Sequence, residues 1–186
     1  MIAVALLGVL AGPAARAATP VDAGVRVLIK ALSYDHALPN RIGDTLRVGV
    51  VFDRTDPLSA AQSVEAAAAL RALQVTIGGV PVGEPVLVST ADDGWTDALA
   101  GLTVVVACRG IGARGPTLAA LAAERDLPLL TLDGASVGTG PAIGVDQRSA
   151  HLEIRIDAAA ARAQGMELGG ELLELATLVP SGAAPR

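Results

Sequence analysis

The sequence predicts an α/β fold: one three-layer domain built on a mainly parallel sheet, with an antiparallel edge and helices on both faces. Three observations predict it. Apolar runs recur at residues 46–52 (LRVGVVF), 102–107 (LTVVVA) and 127–132 (LPLLTL), as expected of strands covered on both faces. Ala-rich stretches lie between them, and these suit helices packed closely on a sheet. Beyond the third run the pattern changes to alternation. Ala150, Leu152, Ile154 and Ile156 face one way, while His151, Glu153 and Arg155 face the other, the signature of a half-solvated antiparallel or edge strand.

The elements follow in order. Thr19 can cap a helix, Pro20 suits its first position, and Asp22 sits where a capping box wants an acid. Val25, Leu28, Ile29 and Leu32 share its inner face, and the helix should fade near His36, before Leu38-Pro39. Residues 46–52 form the first strand and 53–57 a loop. A helix is expected over 59–73, with Val64, Ala68 and residues 70–72 inward. Short strands at 75–77 and 86–88 flank Gly78, Gly79 and Gly83, and a short helix covers 92–99. After the strand at 102–107 come a helix at 117–124, the strand at 127–132 and the alternating strand. Asp157 then caps a pair of helices, 158–164 and 170–178, punctuated by Gly165, Gly169 and Gly170. Residues 181–186 read as a disordered tail. No linker is visible, so residues 18–180 read as one domain.

The N-terminus reads as a secretory leader. Residues 2–10 are apolar, Gly12 and Pro13 break the run, and Ala15-Arg16-Ala17 follows as an A-x-A cleavage pattern. No Lys or Arg precedes the run, and the alternative is an apolar first element of the domain. With the leader at 1–17, the mature protein is expected in the periplasm. The run is far shorter than the ~20 residues of a membrane span, so the protein is expected not to cross the bilayer.

Composition narrows the chemistry. Over 186 residues there are 14 basic and 19 acidic side chains, a net charge of −5. That field does not attract nucleic acid or an anionic membrane. Cys108 is the single cysteine, which excludes an intrachain disulfide and a thiolate metal cluster. It reads as a buried thiol at a strand end, with a reactive or intermolecular thiol as the alternative. The two histidines, His36 and His151, have no metal-ligand spacing, and there is no GxSxG elbow. No catalytic residue, metal or cofactor is assigned.

One motif points the other way. Gly110, Gly112 and Gly115 spell GxGxxG between a strand and a helix. Asp133 ends the next strand, at about the distance of a ribose-binding acid. A nucleotide-dependent enzyme could use that turn, because glycines let a backbone approach a pyrophosphate. Against it, Pro116 removes an N–H where the phosphate would want one, and no further βαβ units follow. The plain reading is a strand-to-helix turn. Gly134, Gly138, Gly140 and Gly144 with Pro141 read as a surface loop or as a mobile binding loop near a strand's carboxyl end.

Two surfaces are candidates for partners. His151, Glu153 and Arg155 present a solvated strand face, or part of an interface. Met166, Leu168, Leu172, Leu173, Leu175, Leu178 and Val179 are more large apolar residues than a short helix pair needs, so a homodimer contact is a candidate.

The segment 154–176 (IRIDAAAARAQGMELGGELLELA) carries a further pattern. Asp157 follows an apolar strand and precedes an Ala-rich helix. Gly165-Met166 comes next, and Leu172, Leu173, Leu175 and Ala176 close it as LL-x-LA. This resembles the end of the YfiR-like family of bacterial periplasmic proteins, whose domain closes with a strand, Asn, an Ala-rich helix, Gly-Leu, Ser and LL-x-LA. Asp157 stands for the Asn, Gly169 for the Ser and Ile154 for a Phe. The order of elements from residue 25 onward resembles the family more weakly, and Leu38-Pro39 stands at its aromatic-proline. The resemblance implies a periplasmic α/β protein, often dimeric, without known catalytic residues. Its best-understood members repress an inner-membrane diguanylate cyclase. The expectation is therefore a regulatory binding protein acting on a membrane-bound signalling protein through an exposed helix or the 134–144 loop. The alternatives are a small-ligand-binding protein resembling one lobe of a periplasmic solute-binding protein, and the nucleotide-dependent enzyme.

Overall fold

The structure is a computed structural model describing residues 20–148 and 151–182. The predicted leader, Thr19, Ala150 and the last four residues lie outside the described residues.

Among the described residues seven strands form one sheet in the order β4-β1-β5-β6-β7-β8-β9. They are β1 (Val48–Phe52), β4 (Val86–Ser89), β5 (Val104–Ala107), β6 (Leu129–Thr131), β7 (Ile143–Arg148), β8 (His151–Ile156) and β9 (Thr177–Leu178). The first five in that order run parallel. β8 is antiparallel to β7, and β9 is parallel to β8. A separate hairpin pairs β2 (Thr76–Ile77) with β3 (Val80–Pro81). Taken in chain order, the parallel strands have the 2-1-3-4-5 arrangement of flavodoxin-like folds.

The central strands alternate between two cores, which is why their sequences are continuously apolar. Val50, Val104, Val106 and Leu130 point into one core with α1 (Pro20–Ala31) and α2 (Pro57–Ala72). Val51, Val105, Ala107 and Leu129 point into the other, against α3 (Gly115–Glu124), Trp95 and Leu99. The predicted three layers and mainly parallel sheet are present.

Several details differ from expectation. On α2 the buried residues are Ser59, Gln62, Ser63, Ala66, Ala67, Ala69 and Leu70, while Val64 is 65% exposed. Alanine dilutes the periodicity there, and small side chains let the helix lie close to its neighbours. Residues 92–99 are turns ending in a 3-10 segment, Asp97–Leu99, and not a helix. Gly94 adopts φ +73° and its carbonyl accepts the Asp97 N–H. β7 begins in the segment expected as a loop, 134–144, and continues through residues 145–148, which the sequence assigns to no element. Its Gly144 reads poorly as strand, yet a Cβ there would overlap Val137 and Thr131. β8 is antiparallel as expected, but β9 continues the sheet beyond it. The last helix, α5, spans only Gly170–Leu175.

Most of the C-terminal signature residues cap, turn or pack the chain, and Leu175 does not. Asp157, buried, caps α4 (Ala158–Ala163) by accepting the N–H groups of Ala159 and Ala160 at 3.0 and 2.9 Å. Gly165 closes α4 at φ +71°. Its N–H bonds the Arg162 carbonyl and the Met166 N–H bonds that of Ala161, the pattern of a Schellman motif. Leu172 is buried in the core, with Leu173 and Ala176 packed partly against it, whereas Leu175 is 73% exposed. Met166, expected on a partner surface, is a core residue at 2% exposure. The reversal of chain at Gly165 turns it inward.

Candidate functional site

In open α/β sheets, ligands bind beyond the carboxyl ends of the strands, where the strand order reverses. Here that point lies between β1 and β5, because the chain passes from β1 to β4 on one side and to β5 on the other.

The loop after β1 is built by two aspartates. Asp53 accepts the N–H and hydroxyl of Thr55 at 2.8 and 2.6 Å. The Thr55 hydroxyl, then its N–H, hold the Asp53 carboxyl below its ordinary range. Asp56 caps α2 by accepting the N–H groups of Leu58 and Ser59 at 2.8 and 3.2 Å, and Pro57 takes the first helical position. Sequence reasoning treated 53–57 only as a loop. Its signal was the Asp-Pro start of a capped helix.

The loop after β5 abuts this one. Gln62 on α2 is buried, and its Oε1 accepts the Arg109 N–H at 2.8 Å. Gly110 adopts φ +79°, and a Cβ there would overlap the Asp56 carboxylate. The first glycine of the GxGxxG run is thus required for close approach of two loops. Gly112 opens a 3-10 turn, Gly112–Arg114, and Gly115 opens α3 with Pro116 in its first turn and no side-chain cap. Cys108 is buried at the end of β5, and burial pushes its thiol up to about 12.

The segment after β6 completes the site. Gly134, Val137, Gly138, Pro141 and Ala142 are buried, so the segment is a packed wall and not a surface loop. Three anchors hold it. Gln164 Nε2 donates to the Gly140 carbonyl at 2.8 Å while its Oε1 accepts the Leu129 N–H at 2.8 Å. Arg155 Nη1 donates to the Gly134 carbonyl at 3.0 Å, and the Gly182 N–H to that of Gly138 at 2.6 Å. Ser181 and Gly182 are thereby tied in, although sequence reasoning placed them in a free tail.

Between the β5 and β6 segments lies a cavity of about 420 Å³, lined by Cys108, Ile111, Gly115, Pro116, Leu129, Ser136, Thr139 and Pro141. Asp133, half-buried at the end of β6, stands at its edge. The same residue borders a smaller hollow of about 130 Å³, shared with Gln62, Arg109 and Asp146. Among the described residues no donor reaches the Asp133 carboxylate. Gly110, Gly112, Gly115 and Asp133 are therefore brought together around one cavity.

The other candidates lie elsewhere. His151 is exposed on β8. Glu153 accepts the Thr177 hydroxyl at 2.6 Å, and Arg155 is half-buried against the β6–β7 segment. The expected solvated face is exposed at His151 and partly covered at Glu153 and Arg155, which β9 and the 134–142 segment engage. Among the described residues no group of three or more His, Cys, Asp or Glu could hold a metal, and no helix is long and apolar enough to cross a membrane.

No protein-family model and no curated protein matches the chain. Solved structures do. A conserved domain protein from Vibrio cholerae superimposes with a TM-score of 0.64 at 15% identity, over 86% of this chain and 60% of that one. An ABC domain in complex with L-Trp from Streptococcus pneumoniae gives 0.61 at 14% identity, over 86% and 60%. A substrate-binding protein with adhesive properties from Clostridium difficile, in a ligand-free open form, gives 0.58 at 14%, over 83% and 60%. At these identities the likeness is one of fold. The chain spans 60% of the length of each of these structures.

Proposed function

We propose that this chain is an exported small-ligand-binding domain that uses the cavity at the carboxyl ends of β5 and β6 and catalyses no reaction. The observation that carries it is the cavity itself. A pocket of about 420 Å³, apolar-walled with one unpartnered carboxylate at its edge, has the size and make-up of a small-molecule site. Its place beyond the strand carboxyl ends, one strand along from the switch point, supports the reading, as does the fold shared with a substrate-binding protein and a domain holding L-Trp. Substrate-binding proteins close two domains around a ligand, and here the 134–142 wall would supply one side of such a cleft. The Ala15-Arg16-Ala17 pattern and the kind of protein that shares the fold support export to the periplasm.

The nucleotide-dependent enzyme is less well supported. Pro116 removes an N–H from the start of α3, and Gly110 serves the approach to Asp56.

The test is a thermal-shift screen of amino acids, amines, sugars and nucleotides at millimolar concentration. A cognate ligand at ~100 times its dissociation constant stabilises by about 2.7 kcal/mol, which raises Tm by roughly 5–10 °C. Absence of any shift across the screen would overturn the reading, and a shift with NAD(P) or ATP alone would revive the enzyme.

Leu175 and Leu178, exposed where the chain turns into β9, favour a second reading, the regulatory protein that the YfiR-like pattern implies. In that reading they grip the periplasmic domain of a membrane-bound signalling protein, or a second copy of the chain. A photo-crosslinker at residue 178 in the native host should then capture a membrane-anchored sensor or cyclase. Capture of none, with unchanged cyclic-di-GMP after gene deletion, rules it out.

A further inference from the structure

We infer that the cavity takes an organic ammonium, a small molecule with an apolar body whose protonated amine is held by the Asp133 carboxylate. This rests on the ligand-binding reading above and assigns its chemical class.

The argument is an inventory of donors and acceptors. Ile111, Pro116 and Leu129 supply apolar wall. Among the described residues no Lys, Arg or His lines the cavity. Its two hydroxyls are already spent as donors: Ser136 Oγ donates to the Asp133 carbonyl at 2.7 Å, and Thr139 Oγ1 to the Ser136 carbonyl at 2.6 Å. Each therefore offers a ligand only lone pairs. The Asp133 carboxylate offers acceptors, and no described donor satisfies it. The Cys108 thiol stays neutral in its buried place. The side chains of this cavity thus offer a polar ligand acceptors and one negative charge. A carboxylate or phosphate seated in this cavity against Asp133 would meet like charge with no described side-chain donor of the lining to offset it; Arg109 lines the neighbouring hollow that Asp133 also borders. An ammonium instead gives that carboxylate a charge-assisted partner. The amine is that of a plain amine or of a zwitterion, which the probes below separate.

Isothermal titration of the full chain with four probes of one apolar body decides. Tryptamine carries the amine alone, L-tryptophan the zwitterion, indole-3-acetate the anion alone, and indole neither. Tryptamine, L-tryptophan or both should bind about tenfold or more tighter than indole, and indole-3-acetate should not bind. Tighter tryptamine indicates a plain amine as the natural class, and tighter L-tryptophan a zwitterion. Asp133→Asn should weaken the amines about tenfold or more and leave indole unchanged. Ile111→Trp, which fills the cavity from another side, should abolish all binding. If indole or indole-3-acetate binds as tightly as the amines, the cavity stays a ligand site and the ammonium assignment falls. Amine binding that survives both variants also overturns it. If no probe binds at millimolar concentration, the ammonium assignment falls, and the broader thermal-shift screen alone decides the ligand-binding reading.

Discussion

Ser181 Oγ donates to the Asp157 carboxylate, at 2.6 and 2.7 Å to its two oxygens. The same carboxylate caps α4. One buried acid therefore fastens the end of the described chain to the start of a helix. From there Gly182 reaches the Gly138 carbonyl in the wall of the cavity.

Replacing Asp157 by Ala removes the cap and the tether together. The expected cost is about 1–3 kcal/mol, a Tm lower by roughly 2–12 °C. Asp157→Asn keeps an oxygen acceptor and should cost less. Ser181→Ala should cost less than Asp157→Ala, because the helix cap survives. Urea denaturation of the three variants checks the ranking.

Gly110→Ala strains the backbone at φ +79° and drives a methyl group into Asp56. A destabilisation of about 1–3 kcal/mol is expected from the two effects. The α2 cap loosens with it, so exchange at the Leu58 and Ser59 amides should quicken. Gly112→Ala meets no atom within 4 Å and should cost less despite its positive φ.

Cys108 makes stability fall at high pH. Its folded value is raised from 9.0 to about 12, because burial penalises the thiolate. Below pH 9 the thiol is protonated in both states and its contribution is fully present. Between 9 and 12 the unfolded chain ionises first, and stability is lost at up to about 1.4 kcal/mol per pH unit. Cys108→Ala should flatten that part of the profile in denaturation measured from pH 8 to 11. The native thiol should also resist Ellman's reagent at pH 8 until denaturant is added.

Met166→Glu places a charge in the core and should cost several kcal/mol, with about 2–5 expected already for Met166→Ala. Leu175→Glu, on an exposed position, should leave stability within about 0.5 kcal/mol. Equal effects in thermal denaturation would contradict the placement of these two residues.

Arg41 pairs with the buried Asp35 carboxylate and also donates to the Gln164 and Gly165 carbonyls, at 3.2 and 2.9 Å. Arg41→Met should cost about 3–5 kcal/mol by leaving a buried charge unpaired. Asp35→Asn in the same background should recover part of that in a denaturation series.

The sequence by itself determined the layers. The three apolar runs at β1, β5 and β6 could only be strands covered on both faces, and Asp157 and Gly165 announced their cap and turn, because these are local preferences of a short stretch of chain. Tertiary structure decided the rest. β7 was hidden because Gly144 answers to the volume left by Val137 and Thr131, not to strand propensity. The inner face of α2 was hidden because alanines fit any face. Met166 and Leu175 are equally apolar, and only the reversal at Gly165 sends one inward and leaves the other in solvent. The glycines and Asp133 were each legible as residues. That they surround one cavity depends on loops some twenty residues apart meeting beyond neighbouring strands, and strand order, which places those ends side by side, is a property of the packed sheet.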